Sequence, residues 1–356
     1  DTGEVSLSVA LSLLRNRDID SDRFKLLQSR LKLDNAEIDA LITQLDVQNT
    51  ALKTYVDWLA AGKAYNVYQD LLSIALERDE ALKKRAQRGD VAEIDVTENQ
   101  QFIVQRREVL TDAKREFDNL SNQLSLFLRT DDGQAIIPSL SALPSAFPET
   151  EMRTPEDIFA EIARVLDISP DLKILENEIE MAENQVRLGQ NNLKPALDLE
   201  LYNAEDFGDG SVTREGFEST VTVNLSIPLQ RRLGQGQLQK GLAQKKQAEL
   251  EKAFRSEQIR VRLQNLMNNI QTADKIVDLT QQEQVVTRKM EKAERVRFEN
   301  GQSDFFLVNI REVNTATARI KNIQAKRNFA KAVADFNVAT LQTSGLFIDS
   351  LSDDNQ

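Results

Sequence analysis

Residues 221–229, VTVNLSIPL, alternate apolar and polar side chains, and they copy the pattern of residues 5–13, VSLSVALSL. A third segment, at residues 197–202, alternates in the same way. Alternation at a period of two predicts strands with one apolar and one polar face. The glycine-containing segment 204–216 is predicted to be the hairpin loop between the last two strands. The apolar positions are Val5, Leu7, Val9, Leu11, Leu197, Leu199, Leu201, Val221, Val223, Leu225 and Ile227.

Two environments suit such strands. Taken alone, they fit a half-buried sheet in a soluble protein. They also fit a membrane barrel, because a tilted barrel strand needs about 9–11 residues to cross the hydrocarbon layer. In a barrel the apolar face would contact lipid and the polar face would line the lumen. One chain offers too few strands to close a barrel, so membrane-borne strands would require several copies of the chain.

Most of the remaining sequence has the spacing of long helices. Apolar residues recur every three and four positions from Ile38 to Leu59 and again from Leu110 to Phe127, as in a coiled-coil seam. Two further helices are predicted over residues 238–298 and 306–341. Such lengths far exceed the mean of about 11–12 residues for globular helices. We therefore expect a mainly α protein with some β structure, whose helices pair as long antiparallel hairpins.

The sequence also predicts an internal duplication. Residues 5–13 match residues 221–229 at an offset of 216, whereas residues 85–96 match residues 297–308 at an offset of 212. The two offsets differ by four, which predicts four extra residues, about one turn, in the long helix of the first copy. The second copy has a helix and a strand that the first lacks, so the chain is expected to begin within the first copy.

These features divide the chain into four parts. They are a first repeat at residues 1–130, a proline-rich connector at 131–154, a second repeat at 155–345 and a disordered tail at 346–356. Helix starts are expected at Thr154-Pro155 and Ser169-Pro170, where a capping hydroxyl precedes a first-turn proline.

The composition excludes many kinds of chemistry. The 356 residues include no cysteine and no histidine, which excludes disulfides, iron–sulfur clusters, most zinc sites and Ser-His-Asp catalysis. The 57 acidic and 45 basic residues give a net charge of −12, which argues against nucleic-acid binding. We predict no catalytic residue, no cofactor and no metal site.

The two glycine-centred turns resemble a known family. RAQRGDVAEIDV at residues 85–96 and RFENGQSDFFLV at residues 297–308 are similar to the two helical-hairpin tips of the TolC-like outer-membrane factors of Gram-negative bacteria. Leu193-Lys194-Pro195 is similar to that family's helix-to-strand entry. The resemblance implies a homotrimer whose strands form a shared β-barrel in outer-membrane lipid and whose helices form a periplasmic α-barrel. Such ducts receive substrates from an inner-membrane pump, an efflux transporter or an ABC exporter, through a periplasmic adaptor, and carry out no covalent chemistry.

The resemblance further implies that the adaptor docks at the tips. The tip glycines are also expected to be left-handed caps that close a helical turn. Polar residues here replace the apolar neighbours that the family usually has beside the tip glycine, so docking is expected to be more polar. The implied docking residues are Arg88, Gly89, Asp90, Asn300, Gly301 and Gln302.

A periplasmic gate is implied on the returning helices. Asp95 matches a family aspartate, whereas Leu307 and Ile310 stand where the family often has two aspartates. Either an apolar ring gates by dewetting, or Asp304 supplies the charge from one turn earlier, or these residues only pack.

The alternative to a membrane duct is a coiled-coil scaffold, soluble or periplasmic, or a periplasmic adaptor. An adaptor would have one helical hairpin between the halves of a β-domain, whereas this sequence predicts two hairpins and paired strands. An enzyme ranks third, because no carboxylate pair stands out as catalytic.

Overall fold

The computed structural model describes residues 4–148, 158–206 and 216–342. A short 3-10 helix, Leu140–Ala142, lies in the connector. The other elements, in chain order, are β1 (Glu4–Ser12), α1 (Ser21–Gln87), α2 (Glu93–Leu124), α3 (Ile158–Ile168), α4 (Pro170–Asn192), β2 (Ala196–Asp206), β3 (Gly216–Ser226), α5 (Arg232–Glu299) and α6 (Phe305–Ala339).

The long helices predicted from the apolar spacing are confirmed. Helices α1 and α5 have 67 and 68 residues, and the returning helices α2 and α6 have 32 and 35. The described part of the chain is therefore mainly helical with a small sheet. No helix among the described residues contains an apolar stretch that would let it span a lipid bilayer.

The chain divides into two compact units. One contains Asp1–Ile42 and Ala163–Arg260, and the other contains Thr43–Ile162 and Val261–Gln356. The first unit holds the sheet, whereas the second holds both glycine-centred turns.

The three predicted strands form one antiparallel sheet in the order β1-β2-β3. Because the register keeps odd-numbered residues on one face, the apolar side chains line up across all three strands. Two such rows are Val9–Leu201–Val221 and Leu11–Leu199–Val223. The predicted hairpin is confirmed, but its strands extend to the pair Asp206 and Gly216. The loop between that pair lies outside the described residues.

Two of the predicted strands extend one to three residues too far. Strand β1 ends at Ser12 and β3 at Ser226, so Leu13, Ile227 and Leu229 lie just beyond the strands. After β3 comes Pro228, and a proline has no N–H to donate to the ladder. The facing strand β2 begins at Ala196, directly after Pro195, so a proline limits the pairing on both sides.

The extra turn predicted for the first long helix is also wrong, because α1 is one residue shorter than α5. The additional residues lie between strand and helix instead. Asn16 adopts a left-handed conformation there, with φ of 68°. Its N–H donates to Oδ1 of the buried Asn191 at 2.9 Å, and Asp20 then accepts N–H bonds at the start of α1.

The predicted start of α4 is confirmed, with Ser169 at the N-cap position and Pro170 in the first turn, but the Ser169 hydroxyl makes no capping hydrogen bond. The start expected at Thr154-Pro155 and the tail at 346–356 lie outside the described residues. Helix α4 then packs closely on α5 at two glycines. A Cβ atom at Gly189 would lie 2.6 Å from the Leu238 nitrogen, and one at Gly241 would lie 2.8 Å from the Val186 nitrogen.

The second unit has a core of aromatic and aliphatic side chains. Trp58 and Phe117, on α1 and α2, are buried with ring centroids 6.0 Å apart, and the Trp58 indole donates to Ser121 Oγ at 3.1 Å. The connector packs on the same stretch of α1, where Lys63 Nζ donates to the carbonyl oxygens of Pro144 and Ser145 at 3.0 and 2.8 Å. The described part of the connector is thus attached to the helix.

Candidate functional site

The first glycine-centred turn joins α1 to α2. Gly89 has a φ of 79°, in the left-handed region that glycine tolerates best. Its N–H donates to the Ala86 carbonyl at 2.9 Å, and the Asp90 N–H donates to the Arg85 carbonyl at 2.9 Å. This pair of bonds is the Schellman motif, which satisfies carbonyls left free at a helix end.

The second turn joins α5 to α6 with the same geometry. Gly301 has a φ of 69° and donates to the Phe298 carbonyl at 3.0 Å. Gln302 donates to the Arg297 carbonyl at 2.8 Å. Each donor and acceptor lies 212 residues after its counterpart in the first turn. Both glycines are therefore the left-handed caps that the sequence predicts.

The predicted docking residues lie together at these turns. Each turn presents one set of three, and all six residues are exposed to solvent: Arg88, Gly89, Asp90, Asn300, Gly301 and Gln302. Charged groups dominate the first turn and neutral polar groups the second.

The predicted gate residues lie at the N-terminal ends of the two returning helices, within their first two turns. Asp304 is the N-cap of α6, where its exposed carboxylate accepts the Leu307 N–H at 2.7 Å. Leu307 and Ile310 are half-buried along α6, and Asp95 is half-buried in the first turn of α2. Asp304 therefore has a structural task as a cap.

A buried ionic cluster in the second unit was not foreseen from the sequence. The carboxylate of Glu312, on α6, is fully buried and forms ion pairs with three arginines. These are Arg78 on α1, Arg106 on α2 at 3.2 Å and Arg295 on α5 at 3.3 Å. One acidic side chain thus connects four helices.

Arg106 is held firmly in this Glu312 cluster. Its guanidinium donates to the Leu71 carbonyl and to Asn309 Oδ1, both at 2.6 Å. Burial lowers the pKa of Arg106, and the neighbouring Glu312 charge opposes that shift. Charged residues make up 29% of the sequence, and spacing along one helix does not separate a buried arginine from a solvated one. No signal in the sequence marked these residues.

The sheet presents a second candidate surface. On its odd-numbered face, large apolar side chains are exposed, with Val9 at 54%, Val221 at 64% and Val223 at 64%. Leu197 and Leu199, on the central strand, are half-buried by their neighbours. The even-numbered face is polar, and Ser12 Oγ donates there to Asp198 Oδ1 at 2.7 Å.

Solved structures of outer-membrane proteins have the same fold. VceC of Vibrio cholerae aligns with a TM-score of 0.70 and 14% identity, over 96% of this chain and 87% of VceC. The CmeC outer membrane channel of Campylobacter jejuni aligns with a TM-score of 0.72 and 12% identity, over 95% of this chain and 77% of CmeC. The MtrE outer membrane channel of Neisseria gonorrhoeae, in its open state, aligns with a TM-score of 0.69 and 14% identity, over 96% of this chain and 79% of MtrE.

No curated protein matches this sequence. The model of a protein family, described as outer membrane efflux protein, matches residues 162–340, which is half of the chain. That match includes the sheet strands β2 and β3 and the second glycine-centred turn, so it confirms the resemblance drawn from the turn sequences. The chain belongs to the outer membrane efflux protein family.

Proposed function

We propose that this chain is one protomer of a homotrimeric exit duct in the outer membrane of a Gram-negative bacterium, with its helices in the periplasm. The duct passes substrates from a periplasm-spanning assembly to the exterior. The observation that carries this proposal is the exposed apolar face of the sheet, in a chain of the outer membrane efflux protein family.

Apolar surface left in water costs about 25 cal/mol per Å² relative to burial, so a contiguous apolar face needs a covering. Lipid supplies one, provided that the strands close into a barrel without free edges. The described residues contain three strands, too few to close a barrel alone. Several copies together satisfy both requirements.

The proposed organisation is duplicated, with repeats at residues 1–130 and 155–345, a connector at 131–154 and a tail at 346–356. The matching hydrogen bonds of the two glycine-centred turns support this division. Each repeat would contribute strands to the barrel and one long helical hairpin to the periplasmic α-barrel.

Partners are proposed at the turns. A periplasmic adaptor docks on Arg88, Gly89 and Asp90 and on the matching residues of the second turn, and it connects the duct to an inner-membrane efflux transporter or ABC exporter. Their exposure supports this role. The proposed gate is formed by Asp95, Asp304, Leu307 and Ile310, which lie within three turns of helix from the tip glycines.

The mass of the full-length gene product, measured by light scattering with and without detergent, tests the proposal. We expect a trimer that requires detergent to stay in solution. A soluble monomer or dimer would remove the membrane duct and leave the coiled-coil scaffold.

Two neighbouring substitutions sharpen this test. Val223→Arg places a charge on the apolar face of β3 and should impair membrane insertion, since arginine at the bilayer midplane costs about 2–4 kcal/mol. Thr222→Arg, on the opposite face of the same strand, should insert normally. Equal insertion of the two variants, measured by the heat-modifiable band shift in outer-membrane fractions, would contradict the lipid-facing assignment.

A further inference from the structure

The two glycine-centred turns have the same backbone conformation but differ in their side-chain contacts. In the second turn, the nearly buried carboxylate of Glu294 accepts the Ser303 hydroxyl at 2.6 Å. The same carboxylate pairs with Arg297 at 3.4 Å and with Arg311 at 3.8 Å. Arg297 also donates to the Gln302 carbonyl at 3.4 Å. Glu294 thus ties the end of α5 to the turn and to α6.

Two additional side chains hold the second turn. The Asn300 amide donates to the Val296 carbonyl at 2.9 Å, and the Asp304 carboxylate caps α6. Side chains therefore contact the backbone on both sides of Gly301.

Among the described residues, the first turn has no counterpart to the contacts of Ser303, Arg297 and Asp304. Its hairpin has a polar link farther from the glycine, where the Asn99 amide donates to Asp79 Oδ1 at 3.3 Å. Leu82, Val91 and Ala92 occupy the positions 212 residues before Glu294, Ser303 and Asp304. Ala92 is the N-cap of α2 and makes no side-chain capping bond. Arg85 matches Arg297 but, within the described part of the chain, forms neither an ion pair nor a side-chain hydrogen bond. In the described structure this turn is closed by backbone hydrogen bonds, namely the two Schellman bonds and the Arg88 N–H bond to the Arg85 carbonyl at 3.1 Å.

We infer that the second turn is a pre-shaped docking element and the first an adaptable one, with Glu294 as the positioning residue that sets the difference. The inference rests on the proposed docking role of the turns. A surface already held in its bound shape loses less conformational entropy on binding than a mobile one. The second turn would therefore determine where the adaptor sits, and the first would adjust to it.

Spin labels test the inference on the full-length protein in detergent. Because these 356 residues contain no cysteine, Asp90→Cys and Gln302→Cys each add one labelling position, at the same place in the two turns. Electron paramagnetic resonance should show severalfold slower label motion at position 302 than at position 90. Equal motion at the two positions would overturn the inference.

Exchanging the residues of the two turns supplies matched variants. Glu294→Leu with Ser303→Val copies the first turn and should raise label motion at position 302 to the level at position 90. Leu82→Glu with Val91→Ser, which places a carboxylate near Arg85, should slow motion at position 90. Ser303→Ala, which removes only one hydrogen bond, should give an intermediate value and guards against misfolding of the double variant.

Label motion at position 302 that stays unchanged in both Glu294→Leu/Ser303→Val and Ser303→Ala would exclude Glu294 as the positioning residue. The labels report on the turns without any docking partner, whereas the trimer mass in detergent tests the duct. The two proposals can therefore fail separately.

Discussion

Gly89 and Gly301 occupy a backbone region that other residues adopt only at a cost. A Cβ atom at either position would meet no neighbour within 4 Å, so backbone strain alone opposes substitution. Glycine is favoured at these positions because of the positive φ angle, and not because a larger side chain would collide with a neighbour.

Gly301→Val should therefore lower the free energy of unfolding by about 1–2 kcal/mol, the usual cost of left-handed backbone for an L-residue. Gly301→Asn should cost less, because asparagine tolerates this conformation better. Thermal unfolding followed by circular dichroism compares the two variants. Equal losses would show that φ does not determine the effect.

Asp20 gives a prediction on pH dependence. Its carboxylate accepts the N–H groups of Arg23 at 2.8 Å and Asp22 at 2.9 Å, and the Arg23 bond is the main cause that lowers its pKa below the ordinary 3.8. A lowered folded-state pKa means that the stabilisation is present above the unfolded-state pKa and is lost as the pH falls through the folded-state value.

Asp20→Asn keeps an acceptor at the helix start but removes the titration. The melting temperature of this variant should depend less on pH below 4 than that of the unaltered protein, with little difference at pH 7. Parallel pH profiles of the two proteins would contradict the assignment.

Among the helices, the contact between α4 and α5 depends on Gly241. Gly241→Ala would place a Cβ atom 2.8 Å from the Val186 nitrogen, so the helices must separate. Overpacking of this kind costs about 1–3 kcal/mol and should outweigh the gain of about 1 kcal/mol in helix propensity.

Gly236→Ala is the matched control, because it lies on the same helix with no atom within 4 Å of the added Cβ. It should be neutral or stabilising by up to about 1 kcal/mol. Urea unfolding of both variants checks this pair. A loss of stability in Gly236→Ala equal to that in Gly241→Ala would remove the close helix contact as the reason.

The Glu312 cluster acts between helices as well. Glu312→Ala leaves Arg78, Arg106 and Arg295 without their shared carboxylate, and unpairing a buried charge costs about 3–5 kcal/mol. Glu283→Ala breaks the exposed pair with Lys321 and should cost below about 1 kcal/mol. Similar melting temperatures for these two variants would show that the Glu312 cluster contributes little to stability.

For the whole molecule, the proposed duct predicts ion selectivity. The three strands contain six acidic residues and no lysine or arginine, and Asp198, Glu200 and Glu218 lie on the even-numbered, polar face. A pore lined by fixed negative charge favours cations. Reversal potentials of the trimer, measured in a salt gradient, should show that cations pass more readily than anions. The double variant Glu200→Gln/Asp198→Asn should reduce this preference for cations. An anion preference would contradict a lumen on this face.

Sequence reasoning succeeded where the signal is local. The strands around Val9 and Val221 follow from alternation, and the turns at Gly89 and Gly301 follow from helix-ending glycines. It placed four extra residues in the helix α1, whereas they lie in the segment between β1 and α1. Four residues are too few to show a helical or strand periodicity, so the sequence does not indicate which element contains them. It also extended β3 through Leu229, although Pro228 stops the ladder.

The sequence by itself determined the elements, the two similar turns and the family resemblance, since all depend on residues close together in the chain. Only the tertiary structure decided that Glu312 meets three arginines, that Gly241 touches another helix, and that Glu294 holds one turn and not the other. Those contacts depend on which faces of the helices pack together. The spacing of apolar and charged residues along one helix does not specify which face of another helix it will meet.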